Sequence, residues 1–309
     1  VHLQHHPPQR GRDELTTLAE AARRRRAEAK AGDVRPGGLR RTPVAYVVLI
    51  ALALYAGLPV LVLLFNSVKS RLELGQNPLG FPQSFEWSNF STAWEQGHLG
   101  QGLINSAILV TSTILGVWVC AGMAAYALAR LDVPLRGGIA TYLFLVISLP
   151  VQLFLVPLFF LWSQVGLVNT LPGLIIIYIA TNTPFATLLL RTFIVGIPRE
   201  LDEAARIDGA NEWQTATRVI LPLARPGLLT VGLVVGLATY NELLFAVTFI
   251  SDPSKLPIAT AYLSFSQGHT QQFELLNAAG VIMIVPVIVL FLFMQRRFIS
   301  GLATGGIKG

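Results

Sequence analysis

The sequence predicts an all-α integral membrane protein of six transmembrane helices with both termini in the cytoplasm. Three observations predict it. Of 309 residues, 53% are hydrophobic and only 13% charged, against about 25% charged in an ordinary soluble domain. Residues 137–190 contain no Asp, Glu, Lys or Arg at all, although a crossing needs only about 20 apolar residues. Third, the basic residues are distributed unevenly between alternate connections, as membrane orientation requires.

Six apolar runs supply the crossings: 44–65, 103–129, 139–162, 171–190, 227–250 and 275–295. They make 44–309 a transmembrane domain behind a basic tail, 1–43. The third and fourth runs are separated at 163–170, where Gly166, Asn169 and the following Pro172-Gly173 predict a tight turn. Pro59, Pro150, Pro157, Pro184 and Pro286 fall inside the runs. Such prolines are tolerated where neighbouring helices satisfy the freed carbonyls, so bent helices in a bundle are expected rather than a lone anchor.

Orientation follows from Lys and Arg. The tail 1–43 holds 10, the connection 130–138 holds 2, the connection 191–226 holds 5 and the C-terminal end 3, so 20 of 23 lie on one side. The opposite connections hold only Lys69, Arg71 and Lys255. The positive-inside bias makes the rich side cytoplasmic.

Other readings fall away. The net charge of +6 belongs to membrane anchoring in so apolar a chain, and no nucleic-acid partner is expected. Cys120 is the single cysteine, so an intrachain disulfide or a cysteine-rich zinc site is impossible. No cleavable leader is evident, because the first apolar run is too long for one. The tail has a helix-forming stretch at 13–30 with a basic run at 23–26, read as solvated or headgroup-facing. Its histidines His2, His5 and His6 are not read as a metal site.

The fourth connection, 191–226, carries five acids and five arginines. Pro198 and the acids Glu200, Asp202 and Glu203 suit the start of a helix. Gly209 suits the left-handed residue that stops it. Asn211 with Gln214 reads as the cap pair of a second helix, which Pro222 and Pro226 end. The result is a helix–turn–helix with Ala204, Ala205, Gly209 and Ala210 clustered at the bend. Small residues there permit close approach of another backbone, as a docking knuckle requires. They equally suit a hairpin that packs on its own bundle.

The pattern Glu203-Ala204-Ala205-x-x-Asp208-Gly209-Ala210, with Ile220-x-Pro222 and Pro226 after it, resembles the EAA loop of importer-type ABC permeases. Asn105-Ser106, the run Ala125-Tyr126-Ala127-Leu128-Ala129-Arg130, Leu190-Arg191-Thr192-Phe193, Asn241-Glu242-Leu243-Leu244-Phe245-Ala246 and the end 301–309 are similar to the carbohydrate-uptake branch, particularly its maltose-type six-helix subunit. The resemblance covers roughly 44–309 and departs at Tyr240, where that branch often has Trp. It implies a type I ABC importer permease bundle importing a di- or oligosaccharide. Glu203, Ala204, Ala205, Asp208, Gly209 and Ala210 would seat in a cytoplasmic ABC ATPase dimer, with 301–309 as a second contact. A second homologous permease and an extracytoplasmic solute-binding protein would complete the assembly, the latter meeting the 251–275 connection with Asp252-Pro253 and His269. ATP and Mg would sit on the ATPase. None of the four lysines stands in the Gly-Lys-Ser/Thr step of a P-loop, so no cofactor and no catalytic set are expected on this chain.

Within the apolar runs, Glu242 is the single acidic or basic side chain. A charge there costs on the order of 2.5–3.5 kcal/mol, so it should face a cavity or a partner. Either Asn241 and Glu242 line a substrate path with Gln152 and Asn182, or these groups make structural helix–helix hydrogen bonds. The aromatics Phe81, Phe85, Trp87, Phe90 and Trp94 suit a headgroup belt. Rival readings are a glycerol-phosphate-type permease and, from a different class, an ion-coupled secondary transporter. A membrane enzyme is disfavoured by the lack of a catalytic set.

Overall fold

The computed structural model describes residues 43–266 and 272–306, with side chains for 43–266 and 272–292. The tail 1–42 with its histidines and basic run, His269 and the side chains of 301–309 lie outside the described residues. Every regular element among those described is helical.

Among the described residues, four helices are long and apolar enough to cross a bilayer. They are α1 (Pro43–Ser67), α4 (Leu99–Arg130), α7 (Leu171–Val195) and the apolar part of α13 (Phe273–Gly306). Short α2 (Arg71–Gln76) and α3 (Ser88–Gln96) lie between the first two. Two bent pairs raise the possible number of spans to six. One is α5 (Arg136–Ser148) with a 3₁₀ turn and α6 (Leu155–Gln164), bent by 87°. The other, bent by 77°, is α9 (Glu212–Leu223) with α10 (Arg225–Tyr240). The chain divides into two compact units, Val1–Pro59 and Val60–Gly309. The described part of the first is the apolar start of α1, up to Pro59; the sites described below lie in the second.

Two apolar runs expected as single helices are broken. The run 139–162 breaks at Leu149 and Pro150, both extended. Proline lacks the N–H that would continue the ladder and pushes the residue before it out of the helical region. The run 227–250 stops as helix at Tyr240 and restarts as α11 (Leu244–Phe249). No proline marks that break; polar side chains make it, as described below. By contrast Pro184 and Pro286 lie inside continuous helices. Pro157 costs α6 little because it falls in the first turn, where N–H groups have no intrahelical partner.

The core gathers around α4. Val117, Ala121 and Ala125 pack with Ala186 and Leu190 of α7, Ala216 and Ile220 of α9, and Val231 and Val235 of α10. Close approach depends on small residues, the usual device between apolar helices. A Cβ on Gly227 would come within 2.7 Å of the Phe193 ring, and one on Gly232 within 3.0 Å of Trp118. Trp118 also donates its indole N–H to the Leu228 carbonyl at 2.9 Å. Several polar side chains of α7 are satisfied within their own helix: Thr181 and Asn182 reach Ile177 and Tyr178 carbonyls, and Thr187 that of Thr183.

The end of α4 that begins at Leu99 is pinned to the loop before α12 (Ile258–Leu263). The Asn105 amide donates to the carbonyls of Ser254 and Leu256 at 2.9 and 3.0 Å, and the Ser106 hydroxyl accepts from the Ile258 N–H. The predicted turn at 163–170 is present. Gly166 and Asn169 have φ of 71° and 60°, and the Thr170 side chain caps α7. The Asn169 side chain in turn accepts from the Ser251 and Asp252 N–H groups. Phe85, Trp87 and Phe90 form a stacked run beside this end. The fully buried Lys69 is held there by Asn66 and the Asn77 carbonyl.

Candidate functional site

The hairpin between α7 and α10 is built by local backbone chemistry. Its first arm, α8 (Glu200–Ile207), has Glu200, Asp202 and Glu203 in the first turn, where the exposed N–H dipoles favour anions. Pro198 lies just before that turn, not inside it. At the far end, the Gly209 N–H bonds to the Arg206 carbonyl and the Ala210 N–H to the Ala205 carbonyl. With Gly209 at φ 82°, this is the paired closure that ends a helix on a left-handed glycine. Asn211 and Gln214 then cap α9 reciprocally, side chain to backbone, at 2.9 Å each way.

Neither Pro222 nor Pro226 ends the second arm, as their positions suggested. Pro222 rides inside α9 and Pro226 opens α10. The helix accommodates Pro222 by widening to a π-helical stretch over Thr215–Ile220, where the Leu221 N–H reaches back to Ala216. The turn itself falls at Ala224, between the 77°-bent segments.

The hairpin has two faces. Asp202, Ala205, Thr215, Ala216 and Ile220 are buried. Glu203, Ala204, Asp208 and Gly209 are exposed, with Ala210 between. A Cβ on Gly209 would meet nothing within 4 Å. The bend is therefore a bare knuckle of small and acidic residues. Two apolar side chains extend it: Ile207, 86% exposed, and Trp213, 62% exposed. Sequence reasoning missed both. Ile207 stands three and four positions after Ala204 and Glu203, so helical spacing alone puts it on their face.

The buried face is fastened to the last turns of α4. Arg130 pairs with Asp202 at 3.2 Å, the two side chains only 4% and 5% exposed, and donates to the Ile197 carbonyl at 2.6 Å. The Tyr126 hydroxyl donates to Glu212 at 2.8 Å. Glu212 also pairs with Arg206 at 2.9 Å, so one carboxylate joins both arms of the hairpin to α4. The Tyr126 hydroxyl, and then the Arg206 guanidinium, hold the Glu212 carboxyl below its ordinary pKa.

A second site lies at the two breaks. A cavity of about 510 Å³ is lined by Leu149 and Phe154 at the Pro150 break, Phe185 of α7, and Phe245 of α11. Its polar lining is Tyr178, Thr181, Asn182, Thr239 and Glu242. Of the four residues expected on a substrate path, the structure brings Asn182 and Glu242 together here. Gln152 and Asn241 are exposed and do not line the cavity; the Asn241 amide donates to the Leu237 carbonyl of its own helix. Glu242 accepts from the Tyr178 hydroxyl at 2.7 Å and from the Phe245 and Ala246 N–H groups at 2.9 and 3.2 Å. It thus caps α11 and ties the broken segment to α7. Thr239 Oγ1 is buried without a hydrogen-bond partner.

Comparison with known proteins places this geometry. Residues 116–303 match the family model described as binding-protein-dependent transport system inner membrane component. The diacetylchitobiose uptake system permease protein NgcG of Streptomyces coelicolor is 34% identical over 269 residues, 86% of this chain and 89% of that protein. The trehalose transport system permease protein SugB of Mycobacterium tuberculosis is 33% identical over 258 residues, 82% of this chain and 93% of that one. Among solved structures, a bacterial ABC transporter involved in alginate import matches with TM-score 0.73 at 21% identity, over 82% of this chain and 95% of the other; at that identity it speaks for the fold alone. The chain belongs to the family of inner-membrane components of binding-protein-dependent transport systems.

Proposed function

We propose that the chain is one permease half of an ABC importer for a carbohydrate, a di- or oligosaccharide, driven by ATP hydrolysis on a separate ATPase dimer. The observation that carries this reading is the hairpin: a bare small and acidic knuckle on one face, fastened on the other to the 32-residue helix α4. A docked partner that moves the knuckle moves the bundle. Six crossings with both termini cytoplasmic put the hairpin on the ATPase side, in keeping with 20 of 23 basic residues there. In that arrangement the segments either side of the Pro150 break form one crossing, and α10 forms another with α11 rather than with α9, which belongs to the cytoplasmic hairpin.

Relatives named for diacetylchitobiose and trehalose transport support the substrate class. The cavity suits it chemically: aromatic rings beside hydroxyls, an amide and a carboxylate offer faces for a sugar ring and partners for its hydroxyls. The path runs past Asn182 and Glu242, with Gln152 and Asn241 next to lining residues in the chain. A second homologous permease would face this cavity. The solute-binding protein would meet the loop pinned by Asn105 and Ser106.

The Gly209→Asp variant tests the reading. An Asp at φ 82° is strained and adds bulk and charge to the knuckle. Membrane insertion is expected to persist, while co-purification of the ATPase and ATP-driven uptake into proteoliposomes are lost. Uptake driven by an ion gradient without ATP would instead establish a secondary transporter.

A further inference from the structure

We propose that α4 is a strut carrying the motion of the docked hairpin across the membrane, with Tyr126 and Arg130 as its positioning residues at the driven end; this rests on the docking role above. Three observations converge. First, α4 is 32 residues long and contains no proline. The other long helices among the described residues, α1, α7 and α13, contain Pro59, Pro184 and Pro286, and the two remaining apolar runs are broken outright. Second, α4 is fastened at one end to both arms of the hairpin, through Arg130 to Asp202 and through Tyr126 to Glu212. Third, its opposite end holds the loop before α12 through Asn105 and Ser106. The fastenings are separated by roughly 37 Å along the helix, enough to span the hydrocarbon core.

The hairpin cannot slide past α4 without opening a buried ion pair, which low dielectric makes unfavourable. Arg130 also donates to Ile197, where the chain enters the hairpin. Arg130 therefore holds the entry and the first arm of the hairpin, while Tyr126 holds the second arm through Glu212. Between its ends α4 packs on α7 and α10, whose segments line the cavity. A displacement entering at Arg130 reaches the cavity walls and the far loop together.

The test reports cavity access directly and needs no knowledge of the transported solute. In a Cys120→Ser background, Asn182→Cys places a thiol in the cavity of the assembled transporter. A membrane-impermeant maleimide added from the outside then reads access with and without ATP and vanadate. With α4 unaltered, nucleotide is expected to raise labelling. The triple variant Tyr126→Phe/Arg130→Met/Asp202→Leu removes both links while leaving no buried charge unpaired, a replacement that folds tolerate. It is expected to retain the ATPase on purification and lose at least about fivefold of the nucleotide response, the lower range of ordinary coupling between sites. An undiminished response overturns the strut. Loss of assembled complex together with the response marks a merely structural link, and also overturns it. Should the triple variant fail to insert, Tyr126→Phe/Glu212→Gln at the partly exposed link decides: a reduced response with ATPase retained supports the strut, and an unchanged one overturns it. If the unaltered chain neither holds an ATPase nor responds to nucleotide, the docking reading itself falls.

Discussion

A carboxylate within an apolar run disfavours insertion by about 2.5–3.5 kcal/mol, and Glu242 offsets this with three hydrogen bonds accepted from Tyr178, Phe245 and Ala246. Two of those donors are the orphan N–H groups that any helix start leaves behind. Glu242→Ala would leave both unpaired, a cost of about 1–3 kcal/mol for each buried group. Glu242→Gln retains an amide oxygen that can accept one. Thermal unfolding in detergent is therefore expected to show a clearly larger drop for Ala than for Gln; equal drops would contradict a capping role. At the hairpin, the Glu212 carboxyl sits below its ordinary value through Tyr126 and Arg206. A depressed carboxyl stabilises the fold above its unfolded value, and that contribution fades as pH falls through the folded one. ATPase capture is thus expected to be flat between about pH 6 and 8 and to weaken only below about pH 4. Co-purification across pH checks it. Composition located Glu242, as the sole charged group in the runs. Its partner Tyr178 was not legible, because a contact 64 positions away leaves no local signature. Asp202 was read only as a helix-start acid and Ala205 as a docking residue, whereas burial pairs Asp202 with Arg130 and turns Ala205 inward.

At the scale of elements, turn chemistry was the most legible part. Gly209, Asn211 and Gln214 announce their own backbone geometry, because a left-handed stop and a reciprocal cap each demand particular side chains. Asn211→Ala should cost about 1 kcal/mol at this cap. Amide exchange at Gln214, whose N–H bonds the Asn211 side chain, is expected to quicken about fivefold. An unchanged rate would mean that tertiary packing, not the cap, holds the arm. The breaks were less legible. Pro150 marks one, but the interruption after Tyr240 has neither proline nor glycine and arises from Glu242 capping a new helix. Pro222 misled in the other direction: a π-helical widening keeps it inside α9, and nothing in the local sequence advertises that widening.

For the whole molecule, the fold class followed from sparse charge and long apolar runs, since a bilayer leaves few alternatives for an unpaired backbone. How the runs pack was not legible, because α4 is the hub through contacts with distant α7, α9 and α10. The central claim is that force enters at the bare knuckle, and a photo-reactive amino acid at Ile207, 86% exposed, tests it most directly. In the assembled transporter in membrane vesicles, irradiation is expected to join this chain to the ATPase. Cross-linking to the solute-binding protein, or none to the ATPase, would contradict the account.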